Sequence, residues 1–408
     1  MPERARKFAN VVLCLTAVFG IGWGGKEIWL VLSNRHQIDA ACADLVPAGR
    51  ILALSPAGGK ITGGGGDAGI QLDRLWSGQK CDLFSTEAGK GRGSGAFRFF
   101  TGAVGVSPGS QRVVADGPLE DLLDFRGGPT YPQQPLGGGI AGVVGGSGVV
   151  VRLPCAEGEV GTRSIKALWA RAELTTSNDV FTEKGQLSGS DRSILADTAV
   201  SMANNLAERL GCDDRLADAP DDVPALPEGP VPADRAEGTC AWYAKTGYAR
   251  QGRYPDQALE SRTDAGLWDE QCGLILSEGR ATGLYMRGAD EREIPSEPDR
   301  PGKWFVSLHT YAGADARNVW LTSRTTSYEK PEPAEPGRAG RSAEDPIWWA
   351  SSVCDGQPQI HTMSLAMGYD RLVTPEMAKV FRAYVEDVTH RRGCTDVTFP
   401  AASSFRER

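Results

Sequence analysis

The 408-residue chain predicts an α+β architecture: an N-terminal transmembrane helix, then two tandem, duplicated α+β domains, each a mostly antiparallel sheet closed by a helix and locked by two disulfides. Three observations predict it. An uncharged apolar stretch opens the chain, eight cysteines follow in two sets of four, and both sets end on the same phrase. That phrase is a helix-like run, then Gly-Cys, then an acidic residue two positions on: "NNLAERLGCDD" up to Asp214 and "EDVTHRRGCTD" up to Asp396.

The opening segment comes first. No residue from Phe8 to Gly25 is charged, and after Lys26-Glu27 the apolar run resumes from Ile28 to Leu32. A bilayer core takes about 20 residues of helix. Residues 8–32 supply them if Lys26 snorkels to the interface beside Trp23 and Trp29. Arg4, Arg6 and Lys7, in a cytoplasmic tail of residues 1–7, orient the bulk of the chain outward, so the expected place is the cell membrane, crossed once. A cleaved signal peptide with Val11–Gly25 as its core competes, but the nearest small-x-small site, Ala41-Cys42-Ala43, lies far downstream. Residues 33–41 are then a juxtamembrane stretch.

Nine cysteines are present, and Cys14 falls inside the apolar segment. Cys42, Cys81, Cys155, Cys212, Cys240, Cys272, Cys354 and Cys394 remain, none as CxxC, so zinc-ribbon and thioredoxin chemistry are not indicated. An even set in an exported chain reads as disulfides. Four cysteines in a domain allow three pairings. Pairing of neighbours is expected, Cys42–Cys81, Cys155–Cys212, Cys240–Cys272 and Cys354–Cys394, because each pair brackets one continuous strand-and-helix unit.

The two sets share more than their endings. "LWSGQKCDL" around Cys81 matches "LWDEQCGL" around Cys272, and the openings "ACADL" and "TCAWY" agree in kind. Cys155 and Cys354 both lead into acidic-Gly turns. Leu195, Ala199, Met202, Leu206 and Leu210 form one helical face, as do Met377, Phe381, Tyr384 and Val388. Gly211 and Gly393 suit the left-handed residue that ends a helix, and Thr374-Pro375 suit the start of the second one. The domains therefore run over residues 42–212 and 240–394, with a tail from 395 to 408. Between them residues 213–239 hold five prolines and eight acidic residues, an extended tether with nothing to form a core.

Strands are expected at Gly95–Val106, in "KWFVSLHTY" and in "ATGLYMRGA", and Met363, Leu365, Met367 and Tyr369 alternate as a half-buried strand does. Disordered-looking insertions interrupt both domains, "RGGPTYPQQPLGGGIAGVVGGSG" and "SYEKPEPAEPGRAGRSAEDP".

Few residues carry chemistry. The net charge of −8 argues against a nucleic-acid surface. "GGGIAG" (Gly137, Gly139, Gly142) satisfies G-x-G-x-x-G but follows prolines and precedes a β-prone run, so it reads as a glycine-rich loop feeding a strand, not a nucleotide site. In "GVSPG" (Gly105 to Gly109) the residue after the serine is Pro108, which has no N–H for an oxyanion. His309 and His361 lie on expected strands and could meet at a metal if those strands adjoin, yet solvated or hydrogen-bonded histidines describe them better. No cofactor and no metal are expected. Trp76 and Trp268, beside cysteines, read as packing against the disulfides. Trp348-Trp349 adjoin a proline-rich loop, and one of the pair is expected to face out as a contact for a partner.

The Arg-rich start, apolar segment, paired cysteines and acidic Pro-rich linker resemble those of single-pass envelope proteins of actinobacteria. "CADLVPAGRILAL" with a later "CDL" is similar to small actinomycete lipoproteins of unknown function, although this chain has no lipobox and holds two such units. The resemblance implies a place in the envelope and no particular activity. The expected function is a non-catalytic extracytoplasmic module that binds an envelope protein or wall polymer, with an envelope enzyme of hydrolase type as the second reading.

Overall fold

The computed structural model describes residues 26–64, 69–88, 95–107, 113–114, 133–174, 187–288, 304–313, 315–321, 332–343, 345–366 and 368–406. Within them are two hydrophobic cores, one built from residues 38–226 and one from 233–405, each under its own sheet.

The first sheet takes seven strands: β1 (Ile61–Gly63), β2 (Gln79–Ser85), β3 (Phe97–Ser107), β4 (Gln134–Gly137), β5 (Ile140–Val144), β6 (Gly148–Pro154) and β7 (Ala167–Leu174). Their order is β1-β2-β3-β7-β6-β5-β4, antiparallel throughout. Helix α2 (Gly189–Leu210) lies across β6 and β7. Ser188 caps it through the Asp191 N–H at 3.1 Å, and Gly211 closes it in the left-handed conformation, as the sequence predicts.

The second sheet runs β8 (Val231–Pro232), β9 (Gln257–Glu260), β10 (Asp269–Ile275), β11 (Phe305–Ala312), β12 (Gly340–Arg341), β13 (Ile347–Cys354) and β14 (Gln357–Leu365), in the order β8-β9-β10-β11-β14-β13-β12. Helix α3 (Ala241–Thr246) precedes β9, and after the sheet come α5 (Tyr369–Arg391) and β15 (Thr395–Thr398), which pairs with β13. The core strands β1-β2-β3-β7-β6 and β9-β10-β11-β14-β13 share one path. In each, three strands are laid side by side, the fourth is placed outside the fifth, and the closing helix follows.

All four disulfides join neighbours in sequence: Cys42–Cys81, Cys155–Cys212, Cys240–Cys272 and Cys354–Cys394. In each domain the first bridge ties the opening segment to the second core strand, and the second ties the outer strand to the end of the closing helix.

Several expectations need correction. The transmembrane helix is not borne out: among the described residues no helix is long and apolar enough to cross a membrane. Residues 8–25 of the predicted span lie outside the described residues. Its remainder begins helix α1, residues 26–42, which also absorbs the predicted juxtamembrane stretch. Ile28, Trp29, Val31 and Leu32 are exposed at its start, but Ile38 and Cys42 enter the first core. Asn34 shows why the helix belongs there. Its side-chain amide donates to the Gly59 carbonyl and accepts from the Ile61 N–H, both at 2.9 Å, completing the edge of β1 as a further strand would.

The linker is no free tether either. Val223 and Leu226 are buried in the first core, Val231–Pro232 pairs with β9, and Ala233 is buried in the second core. "ATGLYMRGA" falls in helix α4 (Glu278–Gly288), not a strand, with Ala281 and Leu284 buried three residues apart. Helix α5 begins at Tyr369, so Pro375 lies inside it and Thr374 does not cap it. Tyr369 is buried and donates to the Arg253 carbonyl at 2.8 Å, so packing carries the helix back past its proline.

Part of each insertion falls within the described residues. Gln134–Gly137 and Ile140–Val144 form a hairpin whose turn, Gly137 to Gly139, has φ of 85°, 64° and 74°. The glycine motif is thus a turn that side chains would strain, feeding a strand as expected. Residues 115–132 and 322–331 lie outside the described residues, as do Pro108 and Gly109 of "GVSPG".

Candidate functional site

The shared strand path makes positions in the two domains comparable, and three independent anchors agree on the comparison. Counting from Cys81 and Cys272 on the second core strand, Gln79 corresponds to Glu270. Across the first sheet Gln79 pairs with Val104, Val104 with Ala170, and Ala170 with Val151. Across the second, Glu270 pairs with Thr310, Thr310 with His361, and His361 with Ala350. Counting instead from Cys155 and Cys354 gives the same match, Val151 with Ala350, and adds Leu153 with Ser352. Counting back from Cys212 and Cys394 along the closing helices matches Met202 with Tyr384 and Leu210 with Arg392.

The row that is mostly apolar in the first domain is polar in the second. Thr310 Oγ1 lies 2.9 Å from His361 Nδ1 and 2.8 Å from the Tyr384 hydroxyl, and Ser352 Oγ lies 2.9 Å from His361 Nε2. Thr310, His361 and Tyr384 have no exposed surface and Ser352 almost none. Glu270, equally buried, accepts from Arg391 and, at 3.0 Å, from Arg392 at the end of α5. Burial, with Arg392 adding to it, depresses His361 to a pKa of about 3, so the imidazole is neutral. Burial likewise pushes the Tyr384 hydroxyl well up. Every hydrogen-bonding atom of His361 is engaged, and no solvent reaches it. The row is a satisfied structural network, not a site open to a substrate.

A second cluster sits where the domains meet. Arg152, at the end of β6, forms an ion pair with buried Asp315 and lies 4.1 Å above the Trp268 ring. Burial raises the Asp315 carboxyl, against the pull of Arg152, and Asp269 adds to the rise. Asp269 Oδ1 is 2.7 Å from His309 Nδ1, while His309 Nε2 is buried without a partner. Gln134 on β4 completes the junction by donating to the Glu260 carbonyl at 3.3 Å and accepting from the Arg262 N–H at 3.0 Å. Asp269 and His309 have the relation that sets an imidazole tautomer in catalysis, but among the described residues no hydroxyl or thiol bonds to Nε2.

The strands bearing His309 and His361 do adjoin, yet the two rings do not meet. Register pairs Thr310, not His309, with His361, so the pleat sends the two imidazoles to opposite faces. Among the described residues no group of three His, Cys, Asp or Glu could hold a metal ion. Trp348 is a correction: it is fully buried, stacks on Phe405 and donates to the Ser404 carbonyl at 3.1 Å, so it offers no surface to a partner. Trp349 is half-buried against a small cluster on the other face of the sheet, with Gly340 leaving room for its ring. Trp76 and Trp268 each carry an arginine over the ring, Arg163 at 4.3 Å and Arg152 at 4.1 Å.

Sequence reasoning did not single out Glu270, Thr310, Ser352, Arg152 or Asp315, and it named Tyr384 only as part of the packing face of the closing helix. A signal for most of the buried row was present: laying the two halves on their cysteines puts polar residues of one opposite apolar residues of the other. No protein-family model matches the chain, and neither does any curated protein or solved structure.

Proposed function

We propose that the chain is a non-catalytic binding module of the extracytoplasmic space, presenting an old tandem duplication of one disulfide-locked α+β unit to a protein or a cell-envelope component. The observation that carries this reading is that all eight cysteines outside the N-terminal segment are bridged, in a molecule whose Thr310–His361–Ser352 row is buried and satisfied by its own hydrogen bonds. Bridged cysteines belong to oxidising compartments. A row fully satisfied by its own hydrogen bonds has nothing left to offer a reacting substrate. The likeness to actinobacterial envelope proteins is consistent with such a place.

Two measurements test it. Non-reducing peptide mapping of the chain taken from its own cells should find the four bridges, and free thiols at those positions would remove the argument for export. Photo-crosslinking from exposed positions of the second domain should trap a defined envelope partner. An envelope hydrolase is the second reading, favoured only by the Asp269–His309 pair. Turnover of an envelope ester or glycan by the purified chain, abolished in Asp269→Asn, would replace the first reading with it.

A further inference from the structure

In both domains the segment after the last cysteine folds back over the closing helix. In the first, Asn204 on α2 bonds Leu216 through both amide atoms, at 3.0 and 2.9 Å, and Ser193 Oγ reaches the Asp221 carbonyl at 3.5 Å. Val223 and Leu226 of the same segment are buried in the core. That cover is extended, acidic and rich in proline.

In the second domain the cover is the tail after Cys394, and among the described residues it leaves part of the helix face open. Between α5 and the tail a cavity of about 150 Å³ opens, lined by Ala378, Phe381, Phe399 and Phe405 among others, with Lys379 and Arg382 exposed beside it. Arg382 lies 4.2 Å over the Phe399 ring and only 3.9 Å from an exposed Glu386 carboxylate. Counted back from the final cysteines, Lys379 and Arg382 correspond to Asp197 and Val200 of the first domain. Asp197 is engaged by Arg50 at 2.8 Å and Val200 is buried.

We propose that this cavity is a docking pocket for an extended acidic peptide, which seats one apolar side chain against Phe399 and Phe405 and sets its carboxylates on Lys379 and Arg382. The proposal rests on the reading of the chain as a binding module and gives its partner a chemistry. A cavity of this size takes one branched or aromatic side chain. The two cations stand where the first domain has an occupied acid and an apolar residue, so the charge complement of a visitor is negative. The first domain also shows that an acidic, proline-containing strand of peptide lies well on the equivalent helix face.

The probe is a fluorescent synthetic peptide with the sequence of residues 213–229, DDRLADAPDDVPALPEG, titrated into the full disulfide-bonded chain. Saturable binding is expected, weakened by added salt. Filling the cavity with Ala378→Trp, or reversing its charge with Lys379→Glu and Arg382→Glu together, should weaken it by about tenfold or more. Because Lys379 and Arg382 are exposed, the charge-reversed chain should keep its melting temperature. No saturable binding, or binding indifferent to both sets of substitutions, would overturn the pocket. If the peptide fails while crosslinking in cells still traps a partner, the pocket alone falls; if crosslinking fails too, the module reading falls with it.

Discussion

His361 and Ala170 occupy the same place in two sheets, and the difference in their chemistry has a measurable consequence. The folded-state pKa of His361, about 3, is below that of a free imidazole, so the stability it supports is present above pH 6.5 and is lost as pH falls toward 3. Protonation linkage makes the second domain weaker by about 2 kcal/mol at pH 5 than at pH 7. The first domain, whose one described histidine, His36, is exposed, should show no such loss. Chemical denaturation at the two pH values checks this, and His361→Gln should flatten the dependence; an unchanged slope in that variant would assign the effect elsewhere. Glu270 gives the complementary test. Glu270→Ala leaves the nearly buried Arg392 without a counter-charge, while Arg391 keeps Asp387, and should destabilise the second domain by about 3–5 kcal/mol. Gln79→Ala, at the corresponding half-exposed place, should cost far less.

At the scale of elements, helix α1 is the instructive case. Among its described residues the first turns are apolar and exposed, while Ile38 and Cys42 near its end enter the first core, so hydropathy does not mark where the helix packs. Asn34 is what joins helix to sheet. Asn34→Ala leaves the Ile61 N–H and Gly59 carbonyl without partners and should cost about 1–3 kcal/mol, with faster hydrogen exchange along β1. Exchange unchanged at Ile61 would show that the helix does not guard this edge. The closing helices were legible because a repeat every three to four residues records burial on one face: Leu195, Ala199, Met202 and Leu206 are buried, as are Met377, Phe381, Tyr384 and Val388. The starting point of α5 was not legible, because Tyr369 is held by a carbonyl over a hundred residues away, and the helix begins there, ahead of the start signal in Thr374-Pro375.

For the whole molecule, the question is how firmly the two domains hold each other. Their cores are separate, and they are joined by polar links, Arg152 to Asp315 and Trp268, Gln134 to Glu260 and Arg262, and by a short parallel strand pair, Val113–Val114 with Val319–Trp320. Such an interface should be sensitive to salt and to one side chain. Arg152→Ala should raise the radius of gyration measured by small-angle scattering and expose the linker to protease, while each domain keeps its own melting transition. An unchanged scattering curve would mean that the packed linker, not the arginine, sets the arrangement.

The sequence by itself determined the α+β class, the two closing faces and the glycine caps, because spacing along the chain records local geometry; of the three pairings open to each set of four cysteines it favoured neighbours, and the structure decided for them. Only the tertiary structure decided that α1 packs on the first sheet, that the acidic linker is tucked into both cores, and that the second domain carries a buried polar row. Those features depend on which strand lies beside which and on which face a side chain points to. Register and burial are set by the whole sheet, and no local spacing in the chain encodes them.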